Sequence, residues 1–237
     1  MVLSARPLLL GHRGCGVRRD VPENSFTAFE LAFQHGCDGF EFDVRLTASG
    51  RAVVCHNARV RGVRVSEARP TQLRSLPQLD QVLERYSRRG FLDIELKVKG
   101  LEAKVLAALR AYPPERDCVV SSFRPDVILE LKARSPVVPV GIICETPGQL
   151  VAWRRLPVEH VIVHKSLVNR RLVQLVHKAG RKIFAWTVND RLSMLRLAQW
   201  GVDAIISDRT DLLVQTLGSA ARPKPPSAQE LRAPLSA

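Results

Sequence analysis

Two carboxylates alternate with apolar side chains in Gly39-Phe40-Glu41-Phe42-Asp43-Val44. A strand sends successive side chains to opposite faces, so Glu41 and Asp43 point one way and Phe40, Phe42 and Val44 the other. Such neighbours repel unless something positive sits between them, and a hard divalent cation with oxygen ligands is the usual answer. The competing reading is a half-solvated strand whose polar side faces water. Asp93-Ile94-Glu95-Leu96-Lys97 repeats the alternation, with Glu95 and Lys97 on one face and Ile94 and Leu96 on the other. Glu41, Asp43 and Glu95 together make an oxygen-rich site for one divalent cation, Mg²⁺ or Ca²⁺, with positions left for a phosphate oxygen and a hydroxyl. Arg13 and Lys97 add fixed positive charge for the remaining phosphate oxygens. His12 and His56 each end an apolar run and can exchange protons near neutral pH, although a lone histidine is more often a hydrogen-bonded core residue.

These groups need a scaffold that gathers them, and one grammar recurs along the chain. A capping residue opens an amphipathic helix of about three turns, a glycine stops it, and a buried strand follows. Asn24 or Ser25 caps a helix with Phe26, Phe29 and Phe33 that Gly36 stops; Asn169 and Asp190 open two more that end at Gly180 and Gly201. Eight buried strands are expected: 8–12, 40–46, 91–97, 118–123, 138–144, 160–164, 182–188 and 204–207. Eight parallel strands with intervening helices close into an α/β fold, the (β/α)₈ TIM barrel, as a single domain over residues 1–217. A doubly wound open sheet is the alternative. It wants small residues in its phosphate loop, where Gly11-His12-Arg13-Gly14-Cys15-Gly16 carries a His and an Arg. In a barrel the strand ends form a reactive rim. Here they carry His12-Arg13, Glu41 and Asp43, Glu95 and Lys97, Ser121-Ser122, His164-Lys165, Trp186 as a substrate-pocket candidate, and Ser207-Asp208. A further run, Arg51–His56, reads as a hairpin folding back over a barrel end.

Composition narrows the partners. The chain has 237 residues and a formal net charge of +13. Its basic residues are scattered in pairs (Arg18-Arg19, Arg88-Arg89, Arg154-Arg155, Arg170-Arg171) rather than drawn into a stripe. That pattern argues for solvated surface and phosphate-bearing ligands, with peripheral contact at an anionic membrane, and against specific nucleic-acid binding. No apolar run approaches the roughly 18 residues that would span a membrane. Leu8-Leu9-Leu10 lacks a signal-peptide cleavage site, so a cytoplasmic location is expected. The five cysteines (15, 37, 55, 118, 144) contain no CxxC pair, which points to reduced core thiols and disfavours zinc. Residues 218–237 lose apolar periodicity and read as a flexible tail.

The segments HRG (12–14), PENS (22–25), EFDV followed by RLT (41–47), VVCHN (53–57), DIELK (93–97), AWTVN (185–189) and GVDAIISD (201–208) resemble the glycerophosphodiester phosphodiesterase family. The likeness runs from about Leu8 to Leu213. It implies a (β/α)₈ barrel that hydrolyses glycerophosphodiesters to glycerol 3-phosphate and an alcohol with one divalent metal. By motif, Glu41, Asp43 and Glu95 correspond to metal ligands, His12 and His56 to the acid/base pair, and Arg13 and Lys97 to phosphate contacts. The expected chemistry is in-line displacement by the glycerol 2-hydroxyl or water, with His12 leaning to base and His56 to acid. Two departures affect the alcohol rather than the phosphate chemistry. Asn57 stands where the family usually has Asp after the second histidine, and residues 57–94 leave little room for the usual insertion. A lysophospholipase D or a cyclising phosphodiester lyase acting on lipids is the same-class alternative, so the substrate is a small-molecule or lysolipid phosphodiester. A non-catalytic polyanion-binding barrel is the alternative of another class.

Overall fold

Polar caps start several of the helices, and left-handed glycines stop two of them. In α1 (Phe26–His35), Ser25 Oγ accepts the Ala28 amide at 3.2 Å, and the helix ends at Gly36 with φ 94°. Asn169 and Asp190 cap two later helices in the same way. Of the two cap candidates before α1, Ser25 takes the role, because Asn24 is drawn off to Asp43. The structure, a computed structural model, describes residues 6–16 and 20–218. The expected tail therefore lies almost wholly outside the described residues, as does the Arg18-Arg19 pair.

The strands are β1 (Leu8–Gly11), β2 (Gly39–Leu46), β3 (Ala52–Val54), β4 (Arg59–Val60), β5 (Val63–Arg64), β6 (Phe91–Leu96), β7 (Cys118–Ser122), β8 (Val140–Cys144), β9 (His160–His164), β10 (Lys182–Trp186) and β11 (Ala204–Ser207). The remaining helices are α2 (Leu79–Tyr86), α3 (Glu102–Ala111), α4 (Pro125–Arg134), α5 (Pro147–Leu150), α6 (Arg170–Lys178), α7 (Arg191–Trp200) and α8 (Thr210–Leu217). Eight parallel strands form a closed ring, β1-β2-β6-β7-β8-β9-β10-β11 and back to β1. This is the TIM barrel, and its strands match the eight expected runs to within a residue or two at their ends. No helix among the described residues is long and apolar enough to cross a membrane.

Strand alternation divides the core into two layers. Leu10, Phe91, Val119, Ile143, Ile162, Phe184, Ala204 and Ile206 fill the lumen, while Phe40, Phe42, Val44, Ile94 and Leu96 face the helices. The outer side of β2 is anchored by aromatic packing. Phe29 stacks on Phe40 at 4.2 Å, and Tyr86 meets Phe40 edge-on at 5.2 Å. Glu30 of α1 takes both guanidinium nitrogens of Arg89 at 2.8 and 2.9 Å, tying α1 to the end of α2 over the same cluster. This packing fixes β2 from behind and sets where Glu41 and Asp43 sit.

The expected hairpin is β2–β3, antiparallel with Val44 opposite Val54. It returns the chain to the rim and delivers His56 there; Arg45 Nε holds the His56 carbonyl at 2.8 Å. The reduced insertion beyond it is the small β4–β5 ribbon and two single-turn 3₁₀ segments. They pack on a separate cluster of Val53, Cys55, Val65, Ala68 and Leu73. All five cysteines are buried and none forms a disulfide, and burial pushes the thiols of Cys37, Cys118 and Cys144 up to about 12.

Candidate active site

The turn after β1 is set by close backbone approach. A Cβ on Gly11 would meet the Gly14 carbonyl oxygen at 1.7 Å, and Gly14, at φ +92°, lies against Ala28 of α1. These glycines therefore serve a tight turn that lifts His12 and Arg13 over the barrel mouth. Arg13 (φ 51°) and Asn24 (φ 54°) both occupy the left-handed region, which costs a non-glycine residue about 1–2 kcal/mol. They are joined by an Asn24 N–H···O=C Arg13 bond of 2.9 Å. In this pose the Arg13 amide donates to Glu41 Oε2 at 2.9 Å. The Asn24 side chain donates to Asp43 Oδ2 at 2.8 Å and accepts the Asp43 amide at 3.1 Å. Strained backbone of this kind persists where its surroundings over-determine it, and here it orients two carboxylates.

Glu41 and Asp43 of β2 stand beside Asp93 and Glu95 of β6 in parallel register. Glu41, Asp43 and Glu95 are all buried, and each offers an oxygen within 4.8 Å of the other two. Lys97 Nζ reaches Glu95 Oε1 at 2.7 Å and Asp43 Oδ1 at 3.2 Å. Arg13 approaches Asp43 Oδ2 with Nε at 3.4 Å and donates to Glu23 Oε2 at 2.9 Å. The carboxyls respond unequally. Burial, reinforced by the charges of Asp43 and Glu95, pushes Glu41 well above the usual carboxylate range. Glu95 is pushed up to about 7, chiefly by burial and then by Asp43. Burial also acts upward on Asp43, but Lys97, the Asn24 amide and Arg13 outweigh it and hold that carboxyl below its ordinary value. Glu41 Oε1 is buried without a hydrogen-bond partner. An all-oxygen triad with an orphaned oxygen and two carboxyls reluctant to ionise fits a hard divalent cation, which would favour the charged forms.

The histidines flank this triad. His12 Nδ1 lies 2.6 Å from Asp208 Oδ1, and its Nε2 lies 3.9 Å from Glu41 Oε2. Asp208 is itself fixed: Asn189 Nδ2 donates to its Oδ2 at 2.6 Å, and its amide donates to Asn189 Oδ1 at 3.0 Å. Burial acts upward on the Asp208 carboxyl, but the His12 bond overrides it and the net shift is downward. His56 is half-buried, with Nδ1 3.1 Å from Asn57 Oδ1. Burial, with Lys97 and Arg13 nearby, lowers its pKa despite the opposing charge of Asp43.

Most of the reactive groups border one cavity of about 420 Å³ over the barrel mouth. Its lining includes His12, Arg13, Glu41, His56, Glu95, Lys97 and Trp186, together with Asp93, Phe123, Glu145 and Gln149. Of the residues assigned metal, phosphate, acid/base or pocket roles from sequence, all line this cavity except Asp43, which meets the lining residue Lys97 at 3.2 Å; Ser121, Ser122, His164, Lys165, Ser207 and Asp208 are not in the lining. Sequence reading gave no role to Asp93, Glu23 or Asn189, took Asn24 for a helix-cap candidate, and placed Asp208 at the rim without a partner. Asp208 did carry a signal, as a carboxylate one residue past a strand end; the pairing of Asn24 with Asp43 carried none, being a contact across 19 residues. Glu145, just past β8, and Gln149, within α5, had no flanking pattern to mark them.

Comparison with known proteins gives consistent matches. The model of the Glycerophosphoryl diester phosphodiesterase family matches residues 12–212. A glycerophosphodiester phosphodiesterase of Caldanaerobacter subterraneus subsp. tengcongensis is 30% identical over 240 residues, spanning 88% of this chain and 97% of that protein. Among solved structures, the glycerophosphodiester phosphodiesterase of Agrobacterium tumefaciens superposes with a TM-score of 0.77 at 25% identity, covering 89% of this chain and 98% of that one. A phosphodiesterase of Oleispira antarctica, solved with its product sn-glycerol-3-phosphate, gives 0.79 at 24% identity, covering 90% and 98%.

Proposed function

Starting from a chain that belongs to the glycerophosphoryl diester phosphodiesterase family, a family of phosphoric diester hydrolases, we propose that it hydrolyses glycerophosphodiesters to glycerol 3-phosphate and an alcohol, with a divalent cation and two histidines. The observation that carries this reading is a buried triad of carboxylates, two of which line one cavity together with two fixed cations and two histidines. The fold-level likeness to the solved relatives accounts for the barrel; the chemistry is argued from this chain's own residues.

Glu41, Asp43 and Glu95 would hold the cation, which supplies charge for a phosphoryl oxygen and makes a hydroxyl easier to deprotonate. Arg13 and Lys97 line the cavity beside the triad and neutralise the other phosphate oxygens. With Asp208 accepting at Nδ1, neutral His12 carries its proton there and leaves the Nε2 lone pair facing the site, the form a general base requires. His12 Nε2 takes the proton of the attacking hydroxyl as its oxygen bonds to phosphorus. Water gives glycerol 3-phosphate directly, whereas the glycerol 2-hydroxyl gives a cyclic phosphate that water then opens to glycerol 3-phosphate with the histidine roles reversed. The bond from phosphorus to the alcohol oxygen breaks, and His56 gives that oxygen a proton. The two histidines end with exchanged protonation, which solvent resets.

The test is an assay of the purified chain against a panel of glycerophosphodiesters and lysophospholipids, with Mg²⁺ and Ca²⁺ in parallel and a chelated control. Release of glycerol 3-phosphate that depends on the ion is the expected result. No turnover of any phosphodiester with either ion would overturn the reading. Preference for lysophospholipids would place the chain with the lipid-directed members of this chemistry.

A further inference from the structure

One stretch of the chain carries far more positive charge than the rest. Residues 51–74 hold Arg51, Arg59, Arg61, Arg64, Arg69 and Arg74, all exposed, against a single acid, Glu67. Among the described residues only Arg64 of these six has an ion pair, with Glu67 at 3.0 Å, and an exposed pair of this kind contributes little. The basic groups that directly follow β6, β7, β9 and β11 are matched instead: Lys99 and Arg124 share Asp126, Lys165 faces Asp190, and Arg209 faces Asp211.

The β4–β5 ribbon is the centre of this charge. The Val65 amide donates to the Ala58 carbonyl at 2.9 Å, closing the ribbon's root two residues past His56, which lines the cavity. Two residues of extended chain span at most about 7 Å, so the ribbon stands at the edge of the barrel mouth. Arg59 lies opposite Arg64 across it, and Val60 opposite Val63. The valines pack on the cluster of Val53, Cys55, Val65, Ala68 and Leu73, which leaves the two arginines side by side on the outer face. Like charges directly opposite on paired strands destabilise the pairing. Arg61 (φ 49°) and Gly62 (φ 79°) make the two-residue tip, where Asn would suit the first position better than Arg. A Cβ on Gly62 would meet nothing within 4 Å, so the tip stands clear of the body. The ribbon thus carries arginine at three places where neither strand pairing nor turn geometry gains from it.

We propose that this arginine face docks the barrel mouth on an anionic lipid surface. Charge complementarity selects the occupant, because exposed guanidinium groups match lipid phosphates, and each one near an anionic bilayer strengthens adsorption about fivefold. None of the three ribbon arginines lines the cavity, which favours an extended surface over a small ligand. Both valines of the ribbon point inward, so the contact is electrostatic rather than inserted. Docking turns the cavity toward the bilayer, where a lysolipid phosphodiester would be met. That use rests on the phosphodiesterase reading; adsorption does not.

Flotation of the full chain with vesicles of phosphatidylcholine and phosphatidylglycerol, against vesicles of phosphatidylcholine alone, measures docking without catalysis. The unmodified chain should bind the anionic vesicles at low ionic strength, bind the neutral ones far less, and lose the difference as salt screens it. Arg59→Gln, Arg61→Asn and Arg64→Gln combined should weaken binding about a hundredfold, at about fivefold for each arginine. A matched variant combines Arg110→Gln, Arg116→Gln and Arg155→Gln. It removes the same charge from the last turn of α3 and the segments entering β7 and β9, at the opposite end of the barrel, and should weaken binding by about fivefold or less. If the ribbon variant fails to fold, Arg61→Asn alone decides, since Asn suits the left-handed tip; it should cost about fivefold. Equal binding to neutral vesicles, equal loss in the two combined variants, or undiminished binding without the ribbon arginines would overturn the docking face. So would a single-stranded oligonucleotide that binds more tightly than the vesicles at equal charge, which would put a nucleic acid on the ribbon. Turnover of a soluble glycerophosphodiester should be unchanged in the ribbon variant, and a fall there would move these arginines into the substrate site instead. Failure of the phosphodiesterase reading shows separately, as absence of turnover by the unmodified chain.

Discussion

His12 Nδ1 and Asp208 Oδ1 lie 2.6 Å apart across 196 residues of chain, joining the first and last strands of the barrel at its mouth. Closure of the ring, β1 against β11, is what makes them neighbours. Asp208 orients the imidazole and selects its tautomer. Asn189 in turn prevents the carboxylate from rotating away.

Asp208→Asn should therefore lower kcat by about 10² or more, within the range that general acid–base groups contribute. KM should move only a few-fold, because Asp208 does not face the phosphate site. Asn189→Ala should give a smaller fall of the same kind. Steady-state kinetics on a glycerophosphodiester check both, and an Asp208→Asn enzyme with normal kcat would remove Asp208 from the mechanism.

The carboxylate triad makes a prediction that needs no turnover. Glu41, Asp43 and Glu95 crowd together with their charges only partly met, so a cation that binds the folded chain should stabilise it. At a concentration 100 times its Kd the gain is about 2.7 kcal/mol. Melting of the chelated protein should shift upward on adding Mg²⁺ or Ca²⁺, and the ion with the larger shift at equal concentration is the better fit. Glu41→Gln should abolish activity and most of this shift while raising the melting temperature of the chelated protein, since it removes a buried carboxyl with an unmet oxygen. A chelator-insensitive melt that stays flat across both ions would rule out the triad as a cation site.

Much of this site was legible in the sequence because strand periodicity is strict. Once 40–46 and 91–97 read as lumen-lining strands, Glu41, Asp43, Glu95 and Lys97 had to share a face, and parallel register placed them side by side. His56 was legible as the return of a hairpin. The supports were not. Asn24 with Asp43 and Asn189 with Asp208 are pairs made through loops, and no periodicity links their positions, while Ser121 with Asp93 is a diagonal contact between neighbouring strands whose register the sequence leaves open. Asn24 even carried a misleading signal, since an Asn before a helix reads as a cap.

The two histidines should differ toward a good leaving group. If His56 protonates the departing alcohol, His56→Ala should cost about 10²–10⁴ in kcat on a glycerophosphodiester. The deficit should shrink for a nitrophenyl phosphodiester, whose leaving group departs without a proton. His12→Ala should show no such rescue, because the attacking hydroxyl must still lose its proton. Equal losses on both substrates for both variants would reject this division of labour, and normal turnover in either would reject the two-histidine mechanism.

The last prediction concerns the other end of the barrel. His160 opens β9 and is 3% exposed, its ring 5.0 Å from Phe184, and neither ring nitrogen has a hydrogen-bond partner. Burial, with the nearby Lys182 charge, lowers its pKa from 6.5 to about 4. The unfolded chain thus takes up this proton near pH 6.5, while the folded chain resists until about pH 4. Between those limits the unfolded state binds more protons, so stability falls as pH drops through this window and levels off below it. A shift of this size corresponds to on the order of 3 kcal/mol at most, a large share of the stability of an ordinary domain. His160→Phe keeps an aromatic ring against Phe184 and removes the titrating group. Urea unfolding at pH 7 and pH 4.5 should show a smaller loss of stability on acidification in His160→Phe than in the unmodified chain. An identical loss in both proteins would mean that His160 finds a way to charge without unfolding, and that acid lability arises elsewhere in the barrel.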